Sequence, residues 1–200
     1  MIIIEPHADD AFLSVGQIAE DAIKKRKLPV TIVTVYSATR KRGDDARRYA
    51  EAIGAEWVGL PFKEAGNSKA SGNVGVFSLD DLSEVIEARG QKEVWAPLGI
   101  GDHPEHLAVR DAVAKVLKRG RSLRTLRLYV DQPYAIRQKH AAEASELLRG
   151  RIIAAFCKPH ARKWRHIPIF KDQAKFFHFN PVAMLAKTFE MVVVPPGALL

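Results

Sequence analysis

Cysteine is nearly missing from this chain. Cys157 stands alone, so no internal disulfide can form and no cysteine cage can hold a metal. Long apolar runs are missing as well; the longest, such as Met191–Val194, are far too short to cross a bilayer. No internal repeat, low-complexity tract or nucleic-acid motif stands out. The opening Met1–Ile4 reads as a core strand with no basic region ahead of it, so no signal peptide is expected. These absences make a cytoplasmic protein without a membrane span the default expectation.

What is present fits one globular domain over residues 1–200: 47% hydrophobic and 27% charged residues, in a chain long enough to bury a core without staples. Basic residues exceed acidic ones, for a net charge of +8. A polyanionic partner therefore has to be weighed. The excess is scattered over Lys24–Lys27, Arg40–Arg42, Lys118–Arg127 and Lys158–Arg165. Several of these clusters fall at expected helix C-termini, where cations complement the helix dipole. No specific nucleic acid is expected; a homo-oligomer stays open.

Apolar strand-like segments alternate with amphipathic helical ones. Strands are expected at Met1–Glu5, Val30–Tyr36, Glu56–Leu60, Glu93–Leu98, Thr125–Val130 and Phe189–Val194. Helices are expected from Phe12 to about Lys25, over Asp44–Ile53 ending at Gly54, over Leu79–Ala88, and from Pro104 to Lys118. Gly16, on the apolar stripe of the first helix, should let that helix lie close to the sheet. From about Pro133 the chain reads as mainly helical. Glycine and serine are dense between Gly66 and Gly75, which marks a long loop expected to be mobile and to bear on substrate choice. The alternation implies an α/β, Rossmann-like fold, a mostly parallel sheet with helices on both faces. Ligands of such sheets bind outside the strand C-termini.

Two polar clusters occupy that kind of position. His7-Ala8-Asp9-Asp10 follows the first strand, and Asp102-His103-Pro104-Glu105-His106 follows a later one. A catalytic zinc takes three nitrogen or oxygen ligands and a water. His7 and Asp10 can supply two ligands from one turn of chain. His106, on a helical face with Val109 and Val113, can supply the third. Two imidazoles favour Zn2+ over magnesium. Asp9 is left beside the metal as a general base, and His103 flanks the pocket. Zinc brings the pKa of its water to roughly 7, and a cationic His103 would help to stabilise an oxyanion or protonate a leaving amine. The plainer alternative is that Asp9 and Asp10 cap a helix, His103 closes a turn and His106 is a satisfied helix-terminus histidine. The other histidines, His140, His160, His166 and His178, look less organised.

At these residues the chain resembles the LmbE-like, or PIG-L, family of zinc-dependent N-deacetylases. That family carries a Pro-His-Pro-Asp-Asp-Glu type motif and a later His-Pro-Asp-His type motif. They stand here as Pro6-His7-Ala8-Asp9-Asp10-Ala11 and His103-Pro104-Glu105-His106. The resemblance implies zinc held by His7, Asp10 and His106, Asp9 as base and His103 as a second acid/base group. The implied reaction removes an N-acyl group, acetyl first of all, from an amino sugar or sugar conjugate. Arg42-Gly43-Asp44-Asp45 is similar to the family's Arg-x-x-Glu segment, which makes Arg42 an expected substrate contact. Tyr129-Val130-Asp131-Gln132-Pro133-Tyr134 resembles a Tyr-x-Asp-x-Pro-Tyr stretch of one branch and adds Asp131 and Tyr134 as further expected contacts. Lys163 through Gln173 resembles a Lys-to-Ser-Gln segment. Ala11 stands where the family has glutamate. Glu105 replaces aspartate at a position expected to face away from the metal. A metal-dependent hydrolase of another ester or amide, and a non-enzymatic basic polyanion-binding domain, remain as alternatives.

Overall fold

The computed structural model describes residues 1–65, 74–120, 123–158, 163, 165–171 and 189–195, with Arg40 described by its backbone. Residues 66–73 of the expected mobile loop, His160, His178 and the Asp172–Gln173 end of the Lys-to-Ser-Gln likeness lie outside the described residues.

Among the described residues, seven strands form one sheet. In chain order they are β1 (Ile2–Glu5), β2 (Thr31–Thr34), β3 (Glu56–Gly59), β4 (Glu93–Pro97), β5 (Thr125–Tyr129), β6 (Ile153–Cys157) and β7 (Glu190–Val193). The spatial order is β3-β2-β1-β4-β5-β7-β6. The first five strands pair in parallel, and β7 runs antiparallel to both β5 and β6. Between them run α1 (Asp10–Lys24), α2 (Arg40–Ile53), α3 (Leu79–Glu87), α4 (Pro104–Arg119) and α5 (Ala141–Leu148). The expectation of a mostly parallel α/β sheet holds. Among the described residues after Pro133, Ile153–Cys157 forms an edge strand where helix was expected.

Strand side chains alternate between faces, and the core divides accordingly. Ile3 joins Phe12, Val15, Tyr49 and Ile53 beneath α1 and α2. Ile2 and Ile4 join Leu82, Ile86, Val109 and Val113 beneath α3 and α4. Each fully buried aliphatic side chain of this kind contributes roughly 1.5–3 kcal/mol. Gly16 does allow a close approach, but to another helix and not to the sheet. A Cβ there would lie 2.5 Å from the Tyr49 hydroxyl of α2.

A buried ion pair ties the last strand to the first helix. Glu190 accepts the Gln17 and Ile18 amides at 2.9 and 2.8 Å, in the middle of α1. Lys163 Nζ donates to Glu190 Oε1 at 2.6 Å and to the Leu13 carbonyl at 2.7 Å. Leu13 is the residue four before Gln17, so the pair sits against the helical ladder at one turn of α1. That turn follows directly on the one carrying Asp10.

β1 is the switch point of the sheet: β2 and β3 extend to one side of it, β4 and β5 to the other. The loops leaving β1 and β4 therefore meet over a crevice. Both histidine clusters lie on those loops.

Candidate metal centre

His7 and Asp10 are fixed by their own turn. The His7 amide donates to Asp10 Oδ2 at 2.8 Å, and the Asp10 amide donates back to the His7 carbonyl at 3.2 Å. Both side chains therefore leave the turn together. His106 comes from the first turn of α4, which starts on Pro104, and it is buried with Val109 and Val113 as its helical spacing predicts.

The three expected ligands converge. One donor atom from each of His7, Asp10 and His106 lies within 4.8 Å of the other two. Asp10 Oδ2 sits 3.3 Å from His7 Nδ1 and 3.4 Å from His106 Nε2. Ligands at about 2.0–2.1 Å on a tetrahedral ion stand about 3.3–3.4 Å apart, so this spacing fits zinc. A second grouping, His7, His103 and Glu105, is also compact. Its His7 Nε2–Glu105 Oε2 separation is 2.7 Å, a hydrogen bond and too short for two ligands of one ion.

Each of the two imidazoles meets a carboxylate on its other side. His7 Nε2 faces Glu105, and His106 Nδ1 faces Asp131 Oδ1 at 2.7 Å. Such partners fix the ring and leave the other nitrogen to the metal. Two of the expectations for this region change accordingly. Glu105 does not face away from the site; it is buried against His7. Asp131 is not open to a substrate: its other oxygen accepts the Gly99 and Ile100 amides at 2.7 and 3.0 Å, and it is 1% exposed.

The charges show what the cavity accommodates. Burial alone would lower the His7 imidazole, but its bonds to Asp10 and Glu105 prevail and raise it to about 10. Burial would likewise raise Asp10, yet His106 and His7 hold it well below the usual carboxylate range. The carboxylates thus demand a cation between them, which a proton or a metal ion can supply.

Asp9 sits at the N-cap of α1 but makes no side-chain cap bond, so helix capping does not account for it. Burial, and then the neighbouring Asp10 charge, raise its carboxyl to about 6, against the pull of His7 and Arg42. His103 lies edge-on to His7 at 5.1 Å and near His106 at 4.8 Å between ring centroids. Its Nδ1 is buried without a hydrogen-bond partner among the described residues. Burial, then His106 and His7, lower it to about 3, a shift that opposes the cationic form expected. Arg42 stands on the first turn of α2, which begins four residues earlier than expected, and donates to Glu64 at 2.7 Å. Tyr134 lies 5.8 Å from His106 and 6.3 Å from His103 between ring centroids. Gly101, at φ +91°, gives it room, since a Cβ there would lie 2.7 Å from the Tyr134 ring.

Sequence spacing did not reveal Glu5. Its carboxylate accepts the Ala11 amide at 2.8 Å and the Thr34 hydroxyl at 2.6 Å, and burial raises it well above the usual range. A charged residue closing an otherwise apolar strand was the available signal. Glu5 thus lies beneath the helix start, against the Ala11 amide.

Comparisons with known proteins agree with this fold. No family model matches the chain. It is 28% identical over 178 residues to 2'-N-acetylparomamine deacetylase of Streptomyces fradiae, covering 74% of this chain; the alignment spans 62% of that relative's length. A solved deacetylase of the teicoplanin biosynthesis pathway superposes with a TM-score of 0.75 at 19% identity, over 98% of both chains. The zinc-inhibited form of teicoplanin deacetylase superposes with a TM-score of 0.71 at 16% identity, again over 98% of both. The protein has the fold of these solved deacetylases.

Proposed function

We propose that this protein is a zinc-dependent amidohydrolase that removes an N-acyl group, acetyl in the first instance, from an amino sugar or sugar conjugate. The observation that carries the reading is the placing of Asp10 Oδ2 at 3.3 Å from His7 Nδ1 and 3.4 Å from His106 Nε2, with an Asp9 carboxylate that makes no cap bond close by. The likeness to 2'-N-acetylparomamine deacetylase supports the acyl-amine substrate class.

In this role His7, Asp10 and His106 would hold the ion, which would supply acidified water and Lewis acidity at the amide carbonyl. Asp9 takes the proton of the attacking water. A carboxyl near neutrality suits this task, because it can also give the proton back. Because burial and the neighbouring imidazoles oppose a charged His103, we assign delivery of that proton to the departing amine to Asp9, with His103 and Tyr134 walling the carbonyl. Arg42, steadied by Glu64, reaches toward substrate hydroxyls or an anionic group with a fork of paired donors. No helix among the described residues is long and apolar enough to cross a membrane. A single domain acting in the cytoplasm is part of the same reading.

The test joins metal analysis to a substrate screen. Purified protein should hold one zinc per chain and His106→Ala should lose it. N-acetylated aminoglycoside precursors and other N-acyl sugars should release free amine, while phosphoesters should not react. A protein without stoichiometric zinc under metal-replete conditions, or a variant that binds it equally well, would sink the assignment.

A further inference from the structure

Glu105 touches more of the site than His7. Its Oε1 accepts the Ala65 amide at 2.7 Å and the Gly75 amide at 3.3 Å, while Oε2 holds His7 Nε2. Ala65 and Gly75 lie 40 and 30 positions away in sequence. Tyr36 makes a second link between the same places. Its hydroxyl donates to the Gly75 carbonyl at 3.0 Å, and its ring stacks on His7 at 5.8 Å with an interplanar angle of 27°. Gly75 is boxed in at this junction, since a Cβ would lie 2.3 Å from the Lys63 carbonyl oxygen and 2.6 Å from the Tyr36 ring. Next to Ala65, Glu64 carries the bond to Arg42, and its Oε2 is 3.9 Å from His7 Nε2.

We infer that Glu105 is a positioning residue that couples zinc affinity at His7 to the ordering of the backbone at Ala65 and Gly75, and through Glu64 to Arg42. The inference rests on the zinc reading above. For His7 to offer Nδ1 to a metal, its proton must stay on Nε2, and the Glu105 carboxylate is the acceptor that keeps it there. The same carboxylate holds the two amides with its other oxygen. Such coupling is reciprocal: whatever fixes Ala65 and Gly75 favours the ligating orientation of His7, and a metal on His7 steadies both amides. Glutamate suits this duty better than aspartate. From the first turn of α4 the extra methylene lets one side chain reach His7 and a distant backbone segment together. A substrate held by Arg42 would therefore tighten the hold on the metal.

The test compares the full chain with Glu105→Gln and Glu105→Asp, using zinc alone as the probe. Zinc affinity is read by chelator competition, and amide hydrogen exchange at positions 65 and 75 is read with and without zinc. In the wild type, zinc should slow exchange at both amides. Glutamine has one acceptor oxygen and cannot serve both sides. Its zinc affinity should fall by about 10- to 100-fold, and the zinc-dependent protection at 65 and 75 should vanish while β1 and β2 amides stay protected. Glu105→Asp keeps the charge and should recover part of the affinity without the protection. Wild-type zinc binding that leaves both amides unaffected, or a glutamine variant with unchanged affinity, overturns the coupling while leaving the metal site standing. A wild type that binds no zinc overturns both.

Discussion

His106 Nδ1 lies 2.7 Å from Asp131 Oδ1, so the imidazole at the head of α4 is oriented by a carboxylate at the end of β5. Asp131 is itself locked by the Gly99 and Ile100 amides. It should act on the metal through His106 alone. Asp131→Asn should weaken zinc binding by about 10- to 100-fold, read by chelator competition. The KM of metal-saturated enzyme should hardly change. A large rise in KM with zinc affinity intact would return Asp131 to the role of a direct substrate contact.

Asp9 separates catalysis from metal binding. Its carboxylate is outside the ligand set and makes no cap bond. Asp9→Asn should keep one zinc per chain and the same melting temperature while losing about 100- to 10,000-fold in kcat. Wild-type turnover in that variant would mean that another group accepts the proton of water.

The site was legible in the sequence where its parts are local. His7 and Asp10 belong to one turn, and His106 shares a helical face with two valines, so spacing alone brought them to the crevice. The partners that orient them were not legible. Glu105 meets His7 across 98 positions and Asp131 meets His106 across 25, contacts that only the sheet order creates. Asp131, expected at the substrate, is instead buried against His106 and the Gly99 and Ile100 amides. β6 was missed for a different reason. Ile153, Ala154 and Phe156 are exposed on an edge, so the strand lacks the alternation that marks a half-buried one. Helix α2 begins early because Thr39 is extended and the basic run Arg40–Arg42 continues straight into the helix, a start without a cap signal.

The Lys163–Glu190 pair should be costly to break. Both side chains are essentially unexposed, and each charge has the other and α1 backbone groups as partners. Removing one partner strands a buried charge, which typically costs about 3–5 kcal/mol. Lys163→Met should destabilise by that order in urea unfolding, and Lys163→Met with Glu190→Gln should recover part of it. Similar stabilities for wild type and the single variant would mean that water reaches the pair.

His166 gives the fold a pH dependence that does not involve the metal ligands. Its ring is 5% exposed, meets Tyr49 edge-on at 5.5 Å, and has Glu20 Oε2 at 3.8 Å from Nε2. Burial, then Arg165 and more weakly Lys24, lower its pKa from 6.5, and Glu20 only partly offsets them. The sign follows from proton counting. Below pH 6.5 the unfolded histidine binds a proton that the folded one resists, so stability falls as pH drops from 6.5 toward the folded pKa. One group can change stability by at most about 1.4 kcal/mol per pH unit. His166→Gln should remove that slope, so the stability difference between variant and wild type should shift in the variant's favour from pH 7 to pH 5. Urea unfolding at each pH reads this difference directly. A difference that stays flat across the range would show that His166 titrates alike in both states and that Glu20 fully compensates its burial.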